Sequence, residues 1–219
     1  VRRGDDIISP MLVINRREVE SLIDLDELVD ALAPAMVELS SGSVSLFHIV
    51  GLTPEAATLE AAFQGKEPQE VAEIDMQALR RARRELSTAE GEQLDMVVLG
   101  SPHFSLAEFR QLASLLEGKH RHPEVQFLVT SNRTMVALAQ KEGYLRPLRE
   151  FGGKVTVDTC ILTTPMLTHD LETLMTNSAK YAYYSPGLLD ARVAFGGLAD
   201  CVRSAVEGHI LRDDSLWKE

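Results

Sequence analysis

The chain of 219 residues carries 22 basic and 33 acidic side chains, which gives a formal net charge of −11. This acidic excess excludes an electrostatic footprint for nucleic acid, and without a run of about 18 apolar residues the sequence predicts no membrane-spanning helix. With 45% hydrophobic residues, the chain has enough apolar material for one large or two small domains. Because the opening residues VRRGDD also lack the apolar core of a signal peptide, we expect a cytoplasmic protein.

The chain contains two cysteines, Cys160 and Cys201. In a reducing compartment they would be thiols or metal ligands, because two cysteines cannot supply a disulfide framework. Two ligands do not complete a tetrahedral metal site, so a histidine, a carboxylate or a cysteine from outside this chain would have to help. The alternative is that both thiols are packed in the core, which is the common fate of cysteine.

Residues 11–45 are predicted to form two helices. Asn15 with Glu18, and Asp24 with Glu27, have the spacing of a helix cap followed by a glutamate. The apolar residues between positions 25 and 39 recur at helical spacing. The sequence therefore predicts a short helical segment at the start of the chain.

The same stretch, from MLVINRREVE to LSSGSV, resembles the amino-terminal start of the ornithine cyclodeaminase family. That family continues into a dinucleotide-binding domain, whereas here no Gly-x-Gly-x-x-Gly motif follows a predicted strand. The resemblance therefore implies no reductase or deaminase chemistry, and an NAD-dependent reductase has little support. We expect a domain boundary after residue 45.

From residue 46 onward, short strands alternate with amphipathic helices, which predicts an α/β fold with a parallel sheet covered by helices. The predicted strands are 46–50, 71–74, 96–99, 126–130, 155–160, 174–177 and 192–195. The predicted helices are 53–65, a basic helix after Asp75, 106–116, one after Asn132, 144–151 and one after Gly197. The last eleven residues are predicted to be a frayed tail.

Candidate site residues follow the predicted strands, because ligands of parallel sheets bind beyond the carboxyl ends of the strands. His103 and Ser105 follow strand 96–99. Ser105 is also placed to cap helix 106–116, and capping is its favoured role, while His103 could equally be a structural histidine. Cys160 ends strand 155–160, and one strand-to-helix crossover separates it from Cys201, so both thiols could face one crevice.

The stretch 175–187 brings an amide, hydroxyls, an ammonium group and three phenols together. Such groups could orient a small polar ligand, although a polar junction between a strand and a helix is the ordinary alternative. Asn177, Ser178 and Lys180 follow the predicted strand 174–177, where a helix amino terminus could also offer backbone N–H groups to an anion. These three residues are candidates for orienting a substrate.

Five separated motifs in residues 46–208 resemble the carboxy-terminal half of the large catalytic part of aconitase X. They are FHIVGLTPE at 47–55, GSPHFSLAE at 100–108, DTC at 158–160, TNSAKY with YSPG at 176–187, and FGGLADCVRSA at 195–205. The resemblance implies an aconitase-like layered α/β fold. It also implies a hydro-lyase that uses an iron or iron–sulfur centre, 2Fe-2S or 4Fe-4S, held by three cysteines.

By this resemblance, Cys160 and Cys201 take the positions of the second and third metal ligands. The iron would polarise the substrate oxygens and help the hydroxyl to leave. His103, on the cavity wall, and Lys180 are then the catalytic candidates, and Ser105, Asn177 and Ser178 the substrate-binding candidates. Bacterial members of the family dehydrate cis-3-hydroxy-L-proline to a pyrroline carboxylate, and archaeal relatives dehydrate mevalonate 5-phosphate.

The chain also departs from the family pattern. The first cysteine of the family lies in an amino-terminal half that is not matched here, and the small swivelling domain that brings the catalytic serine is not matched either. We therefore expect a small hydroxy-acid substrate and a complementary chain that carries the swivelling domain. One hypothesis is a fusion near Val44 of a reductase start to a dehydratase end. A non-catalytic α/β module that has lost the metal is the remaining alternative.

Overall fold

The computed structural model describes residues 13–14, 48–51, 53–67, 76–164 and 171–217. The chain divides into two compact units, residues 1–79 and 80–219. Within the part of the chain that is described, no helix is both long and apolar enough to cross a membrane.

The described part of the first unit contains a small parallel sheet, with strand β1 (Val13–Ile14) beside β2 (His48–Ile49). The expectation of helix from residue 11 is therefore wrong at Val13–Ile14, where two β-branched side chains favour a strand. The rest of the predicted helical segment, 15–45, lies outside the described residues. The predicted strand 46–50 is confirmed at β2.

A 3-10 turn (Pro54–Ala56) and helix α1 (Leu59–Phe63) follow β2. The sequence predicted one helix over 53–65, but the backbone is extended at Thr58, whose Oγ1 accepts a hydrogen bond from Ala61 N at 3.1 Å. A second cap within the segment thus starts a new helix. The predicted strand 71–74 lies outside the described residues.

The second unit is built on a five-stranded parallel sheet. Its strands are β3 (Met96–Leu99), β4 (Gln126–Ser131), β5 (Lys154–Val157), β6 (Thr173–Thr176) and β7 (Arg192–Phe195). Their spatial order is β5-β4-β3-β6-β7, and every pair is parallel. The chain moves outward in one direction from β3 to β5 and then returns to the other side of β3. The carboxyl ends of β3 and β6 therefore form the topological switch point, where open α/β sheets bind ligands.

Helices connect the strands close to where the sequence predicts them. They are α2 (Met76–Glu85), α3 (Leu106–Leu116), α4 (Arg133–Lys141), α5 (Leu145–Phe151), α6 (Ala179–Leu189) and α7 (Leu198–Glu207). Side-chain caps set several starting points. Asn132 Oδ1 accepts from Met135 N at 2.9 Å before α4, and Ser178 Oγ accepts from Tyr181 N at 3.2 Å in α6.

The two faces of the sheet pack against different helices, because side chains alternate along each strand. Val97, Val129 and Met175 belong to one apolar cluster together with side chains of α3, α5 and α7. Thr130 lies on the opposite face, and its hydroxyl contacts Tyr181 of α6. Helices α6 and α7 thus cover opposite faces.

The end of the chain is tied to the second unit. Ile210 N donates to Glu92 O at 2.8 Å, and Arg83 forms an ion pair with Asp214 at 2.7 Å. The Arg83 guanidinium also lies 4.9 Å from the centre of the Trp217 ring. The expectation of a frayed tail is therefore wrong for residues 209–217, because these bonds hold the segment; residues 218–219 are outside the described part.

Candidate functional site

The loop that follows β3 begins with a glycine that the fold requires. Gly100 has φ +99°, and a Cβ at this position would lie 2.1 Å from Thr130 O. No larger residue fits without moving the backbone of β4. The loop therefore leaves the sheet in close contact with the neighbouring strand and carries residues 101–104 over the switch point.

Three buried hydroxyls hold this loop by its carbonyl oxygens, and we call them the hydroxyl clamp: Thr130, Ser131 and Ser178. Thr130 Oγ1 donates to Gly100 O at 2.6 Å, and Ser131 Oγ donates to Phe104 O at 2.6 Å. Ser178 Oγ donates to the carbonyl of Ser101. The clamp connects β4 and the start of α6 to the loop of β3, so the loop has a fixed position above the sheet.

Ser178 has two structural partners. Its Oγ donates to Ser101 and accepts from Tyr181 N as the cap of α6. Asn177, just before it, is 8% exposed, and its side chain makes no hydrogen bond within the described part of the chain. Lys180 is exposed in the first turn of α6. The structure thus brings the three residues to the switch point, and their substrate-binding and catalytic roles stay predictions.

His103 is exposed, and its Nε2 lies 3.2 Å from Thr159 O. Because a carbonyl only accepts, Nε2 carries the proton in this contact. The imidazole therefore bridges the loops that follow β3 and β5. Ser105 forms a capping box with Glu108: Ser105 Oγ accepts from Glu108 N at 3.3 Å, and Ser105 N donates to Glu108 Oε2 at 2.7 Å. Capping, the favoured role of Ser105, is confirmed.

Asp158 is a residue at this edge that the sequence did not single out as a candidate. It adopts φ 53° directly after β5, and its carboxylate accepts from Arg133 N at 3.0 Å and pairs with the Arg133 side chain. The Arg133 guanidinium holds the pKa of Asp158 below its usual range. The signal that could have revealed it is an acid placed just past a strand of a parallel sheet.

The turn at Asp158 also changes the position of Cys160. The sequence predicted a strand up to Cys160, but β5 ends at Val157, because the left-handed backbone of Asp158 turns the chain away from the sheet. Cys160 is half-buried in the loop that follows, where its carbonyl accepts from Thr164 Oγ1 at 2.9 Å.

Tyr181 is a second residue that the sequence did not single out. Its ring is 1% exposed, and its hydroxyl lies 2.8 Å from Thr130 Oγ1. Burial raises the pKa of Tyr181 to about 12, and the neighbouring Cys160 thiol adds to the rise. Since no local pattern marks which of the three tyrosines of this stretch is buried, the sequence carried no signal for it.

The contacts of the two thiols differ. Cys160 is close enough to Tyr181, on the α6 face, to contribute to the raised pKa of that phenol. Cys201 is 0% exposed on α7, belongs to the apolar cluster of the other face, and has its Sγ 4.0 Å from Gly196 O. These contacts do not bring the thiols together, and their service as joint metal ligands stays a prediction.

The residues present do not by themselves fit an iron centre. Within the described ranges, no three His, Cys, Asp or Glu side chains come together in a way that could hold a metal ion. A site with Cys160 would therefore need ligands from elsewhere in a complete protein.

Comparisons with known proteins place the chain in a family. A family model for the aconitase X third domain matches residues 94–207, and one for the aconitase X second domain matches residues 10–84. A cis-3-hydroxy-L-proline dehydratase of Pseudomonas aeruginosa is 48% identical over 77% of this chain and 30% of that protein. One of Hypocrea jecorina is 40% identical over 94% of this chain and 36% of that protein.

Two proteins of lower identity to this chain also match it. The phosphomevalonate dehydratase large subunit of Methanosarcina mazei is 33% identical over 87% of this chain and 44% of that protein. The holo-form crystal structure of Thermococcus kodakaraensis aconitase X has a TM-score of 0.69 and 22% identity, covering 90% of this chain and 55% of that one. That likeness shows a shared fold.

The second-domain match includes the stretch that resembles the ornithine cyclodeaminase start. That resemblance, and a domain boundary after residue 45, stay predictions. The chain spans roughly a third of the length of the curated relatives that it matches. The models for the second and third domains of aconitase X match consecutive parts of this sequence. The chain therefore belongs to the aconitase X family.

Proposed function

We propose that this chain is part of a hydro-lyase that dehydrates cis-3-hydroxy-L-proline to Δ1-pyrroline-2-carboxylate. The observation that carries the proposal is the identity of 48% and 40% to two proteins named cis-3-hydroxy-L-proline dehydratase, against 33% to a phosphomevalonate dehydratase large subunit. Since this chain spans only part of those relatives, the complete activity would need further protein.

The reaction defines what the site must supply. A base takes the proton from the carbon that bears the carboxylate, and the neighbouring carbon loses its hydroxyl, so that one water leaves. The resulting enamine then tautomerises to the pyrroline. A bound substrate thus needs an anchor for its carboxylate, a base, and a group that assists the leaving hydroxyl.

The edge at the switch point offers groups of these kinds. Lys180 and the amino terminus of α6 are suited to attract the carboxylate, because both are electropositive. Asn177 has an amide without a hydrogen bond in the described part, which suits it to orient a polar substrate. His103 would line the cavity as a candidate acid or base, while Ser105 is engaged in its capping box.

The proposal includes an iron or iron–sulfur centre with Cys160 and Cys201 among its ligands. Support comes from the family motifs that contain both residues, and the remaining ligands would come from a complementary chain or segment. That partner would also carry the small swivelling domain. We expect the assembly to be cytoplasmic and to act on a small hydroxy acid.

Two other functions each have one observation in their favour. A phosphomevalonate dehydratase is favoured by a relative that covers 87% of this chain. A non-catalytic α/β module is favoured by the complete burial of Cys201 in the apolar cluster. Iron binding separates the module from both dehydratases.

The test is the iron and sulfide content, with the visible spectrum, of the chain reconstituted without oxygen together with the complementary half that would supply the remaining ligands. Wild type is compared with Cys160→Ser, with Cys201→Ser, and with Ser114→Ala as a control at an exposed serine on α3. We expect iron in wild type and in the control, and its loss in both cysteine variants.

Thermal melting separates lost ligands from lost folding, which matters most for the buried Cys201. Iron that persists in folded Cys160→Ser, or no iron in folded wild type, would contradict the proposal. If iron is bound, assays of both candidate substrates with an added complementary half decide between the two dehydratases.

A further inference from the structure

One buried serine holds both of the loops that meet at His103. Ser131 is the last residue of β4 and is 0% exposed. Its hydroxyl donates to Phe104 O at 2.6 Å, and its carbonyl accepts from Asp158 N at 2.9 Å. Phe104 directly follows His103, and Asp158 directly precedes Thr159, whose carbonyl oxygen lies 3.2 Å from His103 Nε2. The end of β4 therefore fixes the backbone on both sides of the contact between the imidazole and the carbonyl.

The turn that presents the Thr159 carbonyl depends on Asp158. Asp158 has φ 53°, a left-handed conformation that aspartate adopts more readily than most other residues. Its Oδ1 accepts from Arg133 N at 3.0 Å, and its Oδ2 pairs with the Arg133 guanidinium. Arg133 is the first residue of α4, so this carboxylate also satisfies an N–H group that the helix itself cannot bond. Asp158 thus ties the turn after β5 to the start of a helix.

The contact with the carbonyl decides which nitrogen of His103 is basic. A neutral imidazole has one N–H donor and one acceptor nitrogen. Since the Thr159 carbonyl can only accept, Nε2 carries the proton and Nδ1 keeps the lone pair. An exposed imidazole without such a partner exchanges between the two tautomers, so the carbonyl selects one of them.

We propose that Asp158 is a positioning residue: its carboxylate holds the turn whose carbonyl orients His103, which leaves Nδ1 as the atom that can take a proton. The service of this atom in the dehydration rests on the proposed function. The orientation itself needs neither metal nor substrate. An aspartate that only ended the strand would leave the tautomer of His103 unaffected, and this difference makes the proposal testable.

The test is the nitrogen NMR spectrum of the histidine rings in the metal-free full chain, in mildly alkaline buffer that keeps imidazoles neutral. A ring held as one tautomer has widely separated nitrogen shifts, whereas exchange between tautomers brings the two shifts together. We expect a wide separation for His103, assigned by its disappearance in His103→Gln, with Nε2 as the protonated nitrogen. His120 is an internal reference of the opposite tautomer, because its Nδ1 lies 3.1 Å from Glu150 O.

Asp158→Gly removes the carboxylate but keeps a residue that adopts φ 53° without strain. We expect the His103 shift separation to fall toward that of a free imidazole, because the turn is no longer tied to Arg133. Asp158→Asn should keep the wild-type separation, since an amide oxygen can still accept from Arg133 N and asparagine tolerates this conformation. Asp190→Gly is the matched control and should follow wild type: Asp190 is exposed and has φ 54°, but it lies before the amino end of β7.

Arg133→Ala provides a second test if Asp158→Gly does not fold, because the Arg133 side chain is 80% exposed. It removes the guanidinium and leaves the backbone N–H, so the His103 separation should fall by less. An unchanged separation in folded Asp158→Gly, or in Arg133→Ala where Asp158→Gly does not fold, would overturn the proposal. An equal fall in Asp190→Gly would overturn it too. A wild type that binds no iron with its complementary half, but whose His103 separation falls in Asp158→Gly alone, would support the positioning and count against the proposed function.

Discussion

Ser185 and Ser204 are both completely buried, yet their hydroxyls have different surroundings. Ser204 Oγ on α7 donates to Leu211 O at 3.0 Å and accepts from Leu211 N at 2.8 Å. Ser185 Oγ on α6 has no hydrogen-bond partner in the described part of the chain. Burial removes both hydroxyls from water, but only Ser204 regains the lost hydrogen bonds. The two serines are therefore equally buried and differ in whether the hydroxyl oxygen has a hydrogen-bond partner.

Replacing each serine with alanine should have different effects on the free energy of unfolding. Ser204→Ala leaves the Leu211 backbone groups without their partner and should lower it by about 1–3 kcal/mol. Ser185→Ala removes an unsatisfied hydroxyl and should leave it unchanged or raise it by up to about 1 kcal/mol. Urea unfolding of both variants measures the difference. Equal destabilisation would show that Ser185 has a partner in solution.

At the scale of the elements, Arg121 connects the end of α5 to the segment that enters β4. Its Nε donates to Gly152 O at 3.0 Å, just past the helix. Its Nη1 lies within hydrogen-bond distance of three carbonyls, those of His122, Pro123 and Val125, at 3.0, 2.9 and 2.7 Å. One guanidinium thus satisfies carbonyl oxygens that neither the helix nor the strand can bond.

Arg121→Ala should lower the free energy of unfolding by about 2–3 kcal/mol, because four carbonyls, two of them part-buried, lose a charged donor. Arg121→Lys should recover less than half of this loss, since an ammonium group lacks the planar fork of a guanidinium. Arg110→Ala, at an exposed position on α3, is the control and should change the value by less than about 0.5 kcal/mol. Full recovery in Arg121→Lys would show that charge alone matters. Urea unfolding provides the measurement.

At the scale of the whole molecule, the sequence could predict elements but not their arrangement. Strands such as β3 and β7 are short apolar runs between turn residues, and helices such as α3 begin at a recognisable cap, so local rules suffice for them. The strand order has no local signature. It decides that Tyr181 reaches across β3 to Thr130 and that Cys201 packs on the other face.

Some features of the candidate site could likewise be predicted from the sequence and others could not. Five candidate residues follow strands: His103, Ser105, Asn177, Ser178 and Lys180. The rule that ligands of parallel sheets bind beyond the carboxyl ends of the strands was enough to place them at one edge. The capping role of Ser105 could also be predicted from the glutamate at the third helical position. The hydroxyl clamp could not, because its partners are distant in sequence and meet only when β3, β4 and β6 are adjacent.

The buried phenol of Tyr181 makes the free energy of unfolding of the protein depend on pH in the alkaline range. Burial raises the pKa of Tyr181 from 10.0 to about 12 in the folded protein. Below the unfolded value, Tyr181 is protonated in both states and contributes no slope. Between the two values, the unfolded chain loses this proton while the folded chain keeps it, so stability falls as pH rises. The stability that depends on the protonated Tyr181 phenol is therefore fully present below pH 10.0 and is lost as the pH rises through about 12.

Tyr181→Phe should therefore be less sensitive to alkali than wild type. The loss of unfolding free energy between pH 10.0 and about 12 should be smaller by about 2–3 kcal/mol, because a proton kept only by the folded chain changes this free energy by about 1.4 kcal/mol for each pH unit. Groups that titrate in both proteins, such as the lysines, cancel in the comparison. Tyr183→Phe removes an exposed phenol on the same helix and should follow wild type. Parallel curves for wild type and Tyr181→Phe, from urea unfolding across this range, would mean that the phenol ionises in the folded protein as it does in the unfolded chain.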